Sequence, residues 1–174
     1  PVKSSGIYPG TFDPIHEGHV AFANAAIAQC GLDEVYFVPE HKPRGKTNVR
    51  DLQERVAIIR ETLNQTSDLN IITLASKRFT VHETLPGIES RFGPANFTLL
   101  VGSDVAMTLA KWPNCDRMLK KWSLAVGIRH DDKPEDIDAV LEGIERAHRF
   151  KIRRAFIRTA KASVSSSQLR NVTK

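Results

Sequence analysis

The chain has 174 residues, 41% of them hydrophobic, and a net charge of +5. That is enough chain for one domain with a sizeable core, which argues against wholesale disorder, and no apolar run approaches membrane-spanning length. Two cysteines, Cys30 and Cys115, form neither a disulfide framework nor a zinc-ligand spacing. The positive balance suits ligands that carry several phosphates, and without an aromatic-interleaved RNA-binding pattern nucleic acid is not the expected partner. The opening residues, Pro1 to Ser5, lack the apolar stretch of a secretory leader, so the cytoplasm is the expected compartment.

In chain order, Gly6-Ile7-Tyr8 reads as a buried strand, and residues 20–28 read as a helix that ends at Gly31. Between them lies Gly10-Thr11-Phe12-Asp13-Pro14-Ile15-His16-Glu17-Gly18-His19. A strand, a glycine-containing turn and a helix N-terminus make a phosphate-sized anion site, with backbone N–H groups of Gly10, Thr11 and Phe12 as donors. His16 and His19 are three apart at the helix start, so both rings can face one ligand. Gly18 omits a side chain where a nucleotide would approach.

Residues 34–38 form a second strand, followed by a polar, basic loop from Glu40 to Asn48. Residues 51–63 carry an apolar stripe at 52, 56, 59 and 63, a helix that Asp51 or Asn48 would cap. Residues 70–74 are a third strand. Thr80 starts a helix over 80–88, with Glu83 completing a capping box. Residues 96–101 are a strongly apolar fourth strand ended by Gly102-Ser103-Asp104. A helical turn over 105–110, a break at Trp112-Pro113 and a short helix over 115–121 follow. A strand at 123–128, a helix at 135–148, a short strand at 155–157 and a helix starting in the serine-rich tail complete the series. Alternating strands and helices predict a single-domain α/β fold spanning residues 1–174, a doubly wound parallel sheet of Rossmann-like type.

The run from Gly10 to His19 resembles the signature of the nucleotidylyltransferase superfamily: a Gly-Thr/Ser-Phe-Asp-Pro turn followed by His/Thr-x-Gly-His. Val164-Ser165-Ser166-Ser167-Gln168-Leu169-Arg170 resembles the second signature, an Ile-Ser-Ser/Ala-Thr-x-Ile-Arg run at a helix N-terminus, with Ser167 in place of the frequent Thr. Three further stretches are similar to the nicotinate or nicotinamide mononucleotide adenylyltransferases: Pro39 with His41-Lys42, Phe79 to Leu85, and Val101-Gly102-Ser103-Asp104 followed by Trp112.

The resemblance implies AMP transfer from ATP to a pyridine mononucleotide, with release of pyrophosphate. His16, His19, Lys42 and Arg170 would be the catalytic groups. Gly10, Thr11, Phe12, Gly18, Gly102, Asp104, Ser165, Ser166 and Ser167 would bind the nucleotide, Asp104 through a ribose hydroxyl. Lys42, Thr80 and Trp112 would bind the acceptor, Trp112 offering a π-face to its ring. Mg²⁺ would arrive with ATP, and a homo-oligomer is expected. No general base is needed, because a phosphate acceptor is largely ionised at neutral pH, its second pKa being ~6.

Phosphopantetheine adenylyl transfer is the near alternative, and a non-catalytic nucleotide-binding module the distant one. Two departures from the family pattern, Asn114-Cys115-Asp116 after Trp112 and the extra cations Arg44, Lys46 and Arg50, leave room for a different acceptor.

Overall fold

A computed structural model describes residues 2–41 and 47–159. Its elements are β1 (Lys3–Gly10), α1 (Glu17–Cys30), β2 (Glu34–Pro39), α2 (Leu52–Leu63), β3 (Leu69–Ile71), α3 (Val81–Phe92), β4 (Ala95–Gly102), α4 (Ser103–Ala106), α5 (Cys115–Lys121), β5 (Ser123–Ile128), α6 (Pro134–His148) and β6 (Arg154–Arg158), with a 3-10 turn at Leu109–Lys111. All pairings are parallel and the strand order is β3-β2-β1-β4-β5-β6. The order reverses between β1 and β4, so a crevice opens beyond the carboxyl ends of those two strands, where open α/β sheets bind ligands.

Burial on both faces explains why the strands read as apolar runs rather than as alternating patterns. Along β1, Ile7 joins one core and Tyr8 the other, as a period of two requires. Helices α1 and α2 cover the Tyr8 face through Phe22, Ala23, Ala26, Ile59 and Leu63. Helices α3, α5 and α6 cover the Ile7 face through Leu85, Ile88, Met118, Leu119, Leu141 and Ile144.

Helix α1 ends as expected, with Gly31 in the left-handed region at φ 65°. Three local expectations are corrected. Strand β3 covers only residues 69–71, because the chain leaves this sheet edge after Ile72 donates one more bond to the Phe37 carbonyl. Asp51 occupies the cap position of α2 without a side-chain cap bond. At α3 the Thr80 hydroxyl accepts from the Glu83 amide at 3.2 Å, but the Thr80 amide donates to the Thr84 hydroxyl at 2.8 Å rather than to Glu83. The cap is closed one residue later than the capping box places it. Both cysteines are free thiols, Cys115 buried and Cys30 half-buried.

Candidate active site

The turn from Gly10 to His16 leaves β1 at the switch point and enters α1. Phe12 adopts a left-handed backbone, φ 49°, and carries a ring that is only 3% exposed. Such a conformation in a non-glycine residue costs on the order of 1 kcal/mol and persists only where surroundings hold it. Here the ring packs edge-on against Tyr8 and His19, with centroids 5.1 and 5.0 Å away, and against Phe37 at 5.2 Å. A Cβ at Gly10 would lie 3.0 Å from the Phe12 ring, so glycine there makes room for this plug. The Asp13-Pro14 peptide is cis, and the fully buried Asp13 carboxylate accepts from the Arg50 amide at 3.2 Å and lies 3.8 Å from its Nε.

His16 is the N-cap of α1. Its Nδ1 accepts from the Gly18 amide at 3.0 Å, and Nδ1 of His19 accepts in turn from the His16 amide at 3.1 Å. Two orphan helix-end donors are thereby satisfied reciprocally, a capping box made of two imidazoles. The rings stack with centroids 3.6 Å apart. With both Nδ1 atoms accepting, the neutral tautomer of each ring carries its proton on Nε2, giving two N–H donors at a helix N-terminus. The pKa of His16 is lowered by burial, then by the positive charge of Arg129, while Glu17 opposes the shift. Protonating Nδ1 would also break the cap, so the geometry and the electrostatics both keep the ring neutral.

Across the crevice, Gly102 ends β4, and a Cβ there would meet open space. Asp104 lies in the first turn of α4, whose cap is Gly102, so Asp104 is not itself the cap. It is exposed and pairs with Arg129 at 3.2 Å. The segment bearing Arg129 is itself held: Arg158 donates to the carbonyls of Arg129 at 3.0 Å and Asp132 at 3.3 Å, and Ser103 hydrogen-bonds Asp132. Thr80 caps α3 next to Phe79, whose ring lies 6.2 Å from that of Trp112. Trp112 is half-buried, and its indole N–H donates to the Thr108 hydroxyl at 3.2 Å. His82 and His130 are exposed.

The structure thus brings Gly10, Thr11, Phe12, His16, Gly18 and His19 together in one turn and helix start, with Gly102 at the end of the neighbouring strand and Asp104 in the helical turn that follows it. Thr80 and Trp112 form a separate group near Phe79. Lys42, Ser165, Ser166, Ser167 and Arg170 lie outside the described residues, as do Arg44 and Lys46. The Arg50 amide donates to buried Asp13 and its Nε lies 3.8 Å from that carboxylate, while the Arg50 side chain stays 40% exposed.

Sequence reasoning missed two residues. Arg129 gave no signal, because its relation to Asp104 exists only through the β4–β5 pairing. Arg55 gave one, since a charged residue at 55 falls on the apolar stripe of α2, one turn from both Leu52 and Ile59.

Stacked imidazoles beside a strand–turn–helix cradle, set at the switch point of a parallel sheet, define the class: a Rossmann-like α/β protein with a candidate site at its carboxyl edge. Residues 7–172 match the cytidylyltransferase-like family, and the chain belongs to it. A probable nicotinate-nucleotide adenylyltransferase of Bacillus pumilus is 32% identical over 125 residues, which are 68% of this chain and 66% of that protein, just under two thirds of its length. One from Rhodopirellula baltica is 30% identical over 174 residues, 95% of this chain and 80% of that one. The fold is also that of the Plasmodium falciparum nicotinic acid mononucleotide adenylyltransferase complexed with NaAD. That structure has a TM-score of 0.76 and 19% identity, with 97% of this chain and 83% of that chain covered.

Proposed function

We propose that this chain transfers the adenylyl group of Mg-ATP to nicotinate mononucleotide, a step of NAD biosynthesis. The observation that carries the reaction type is the histidine pair, whose Nδ1 atoms are both committed to helix-end amides and whose Nε2–H groups are therefore donors. The named relatives support the acceptor and its acid form.

A mononucleotide phosphate oxygen attacks the α-phosphorus of ATP. The new P–O bond forms as the α–β bridging P–O bond breaks, and its electron pair leaves on pyrophosphate. The acceptor needs no base, so the protein's task is to position two phosphates and to stabilise the charge that builds up on the leaving group. His16, His19 and the turn amides at Gly10, Thr11 and Phe12 serve the triphosphate, with Gly18 and Gly102 leaving space beside it. Lys42 and Arg170 serve the acceptor and leaving-group phosphates, and Ser165, Ser166 and Ser167 assist at the tail. Asp104 takes a ribose hydroxyl, which requires Arg129 to share or release it. Thr80 and Trp112 face the pyridine side. Among the described residues no three His, Cys, Asp or Glu side chains gather into a metal site. Mg²⁺ would arrive with ATP as part of the nucleotide substrate, held by phosphate oxygens and water. A cytoplasmic, single-domain, homo-oligomeric enzyme completes the proposal; among the described residues no helix is long and apolar enough to cross a membrane.

The test is pyrophosphate release with Mg-ATP and one acceptor at a time: nicotinate mononucleotide, nicotinamide mononucleotide and phosphopantetheine. Turnover with the first, lost in His19→Ala, is expected. Preference for either of the others overturns the acceptor, and unchanged turnover in His19→Ala overturns the role of the histidine pair.

A further inference from the structure

Arg55 is among the largest fully buried side chains of the molecule, at 1% exposure. A guanidinium out of water demands partners for its planar fork of donors. In this chain they are main-chain carbonyls rather than carboxylates. Nε donates to the Arg50 carbonyl at 2.8 Å, Nη1 to those of Thr11 at 2.8 Å and Glu40 at 2.9 Å, and Nη2 to that of His41 at 3.3 Å. Burial lowers its pKa, and the negative charges of Asp13, Asp51 and Glu40 work against that shift.

Those carbonyls belong to three separate segments: the turn after β1, the exit from β2 and the approach to α2. None of the three is a regular element that could fix its own geometry. The bond to Thr11 has a directional consequence. Across a trans peptide the C=O and the next N–H point opposite ways, so anchoring the Thr11 carbonyl on Arg55 turns the Phe12 amide away from it. Phe12 is also a residue with a left-handed backbone. The bonds to Glu40 and His41 fix the two residues that precede Lys42 in sequence. Glu40 is fixed at its other end too, its carboxylate accepting from the Phe79 amide at 3.0 Å, next to Thr80.

We infer that Arg55 is a positioning residue for nucleotide binding: its guanidinium fork locks the carbonyl side of the opening turn so that the Phe12 amide is presented to the triphosphate, and it ties that turn to the exit from β2. The inference rests on the proposed use of ATP but not on the identity of the acceptor. It assigns to a buried side chain on α2 an effect on phosphate binding that it exerts without touching the ligand.

The test uses the full chain and Mg-ATP alone, read by calorimetry, so that it stands apart from any failure with nicotinate mononucleotide. Arg55→Lys keeps the charge but loses the planar fork, and Arg55→Gln keeps a short donor. Ile144→Ala on the opposite face of the sheet serves as a destabilised comparator. The expected result is Mg-ATP affinity weaker by about a hundredfold in the folded Arg55 variants, the scale of a small misplacement of binding groups. Faster amide exchange in peptides covering residues 8–15 and 36–41 should accompany it, while Ile144→Ala melts earlier yet binds as the parent does. Affinity within about twofold of the parent in either Arg55 variant, or an equal loss in Ile144→Ala, overturns the inference. One measurement needs no variant: the Phe12 amide resonance of the parent must shift on saturation with Mg-ATP, and a stationary resonance overturns the inference even if neither variant folds. Normal Mg-ATP binding without turnover on nicotinate mononucleotide would sink the substrate assignment and leave Arg55 where it is.

Discussion

Two arginines mark the two ends of the sheet, and they are held differently, although Arg154 also donates to one carbonyl, that of Ile152, at 3.0 Å. Arg55, at the carboxyl edge, spends its donors on the carbonyls of Thr11, Glu40, His41 and Arg50. Arg154, at the amino edge where β6 begins, pairs with the carboxylates of Asp138 at 2.7 Å and Glu145 at 2.9 Å. Burial alone would lower the pKa of Arg154, but its bonds to Glu145 and Asp138 outweigh that and raise it, whereas Arg55 ends with a lowered value. A carboxylate pair joins side chains of neighbouring elements and tolerates movement of either, whereas bonds to carbonyls fix the backbone itself. The edge that must present amides to a ligand uses the second kind.

The largest effect should come from breaking the carbonyl-bound hub. Arg55→Met leaves four part-buried carbonyl acceptors without their donor, and a loss of about 3–5 kcal/mol is expected in urea unfolding. Next, His19→Ala removes one donor from the triphosphate and should lower kcat by about 10²–10³-fold, with cooperative melting retained. At the far edge, Arg154→Met should cost about 1–3 kcal/mol, reduced by partial solvent access, and should leave kcat unchanged.

Its signature is pH dependence. The pKa of Glu145 is lowered below its ordinary 4.5, first by the Ile152 amide, against burial, and then by Arg154. A depressed carboxylate contributes stability that is complete above pH 4.5 and lost as pH falls through the folded value. Arg154→Met should therefore flatten the acid limb of the stability curve, while Arg55→Met lowers the whole curve.

His16 gives a milder limb of its own. Its folded pKa lies below 6.5, so the neutral cap is worth most above pH 6.5 and its contribution is lost as pH falls through the folded value. His16→Asn, which keeps an acceptor at the cap, should remove that limb in melting curves taken between about pH 5 and pH 8. The smallest effect belongs to Arg129→Gln. Its pair with Asp104 is exposed, so stability should stay within about 0.5 kcal/mol, measured by urea unfolding. A larger change would mean that the site edge, too, depends on a carboxylate pair.

Much of this contrast was legible in the sequence as position and little of it as bonding. The spacing of His16 and His19 put both rings where they could face one ligand, but their stacking, and which ring nitrogen each commits to the helix end, depends on rotamers. The stripe at 52, 56, 59 and 63 located α2, and Arg55 stood on it as an anomaly; its partners come from loops whose paths are set only once β1 and β2 are paired. The parallel, doubly wound sheet followed from the alternation of elements, yet the shortness of β3 did not, because where an edge strand stops depends on what its neighbour offers. Arg50 read as one of several extra cations in its loop, and its contact with Asp13 joins residues 37 positions apart. Asp13 itself read as part of a turn, and nothing in its type announced complete burial.

The switch point also governs the order in which the protein can be built. β1 pairs with β2 within the first forty residues, but its other edge waits for β4, with Ser5 opposite Phe97. During vectorial synthesis the histidine-bearing turn emerges early, while the far wall of its crevice arrives only after the first three strands. Closing a parallel pairing across so long a loop is slow. A nascent chain halted before β4 therefore displays the signature residues beside an open sheet edge, with no second wall to form a nucleotide crevice. The two walls of the crevice come together only with that late step of strand addition.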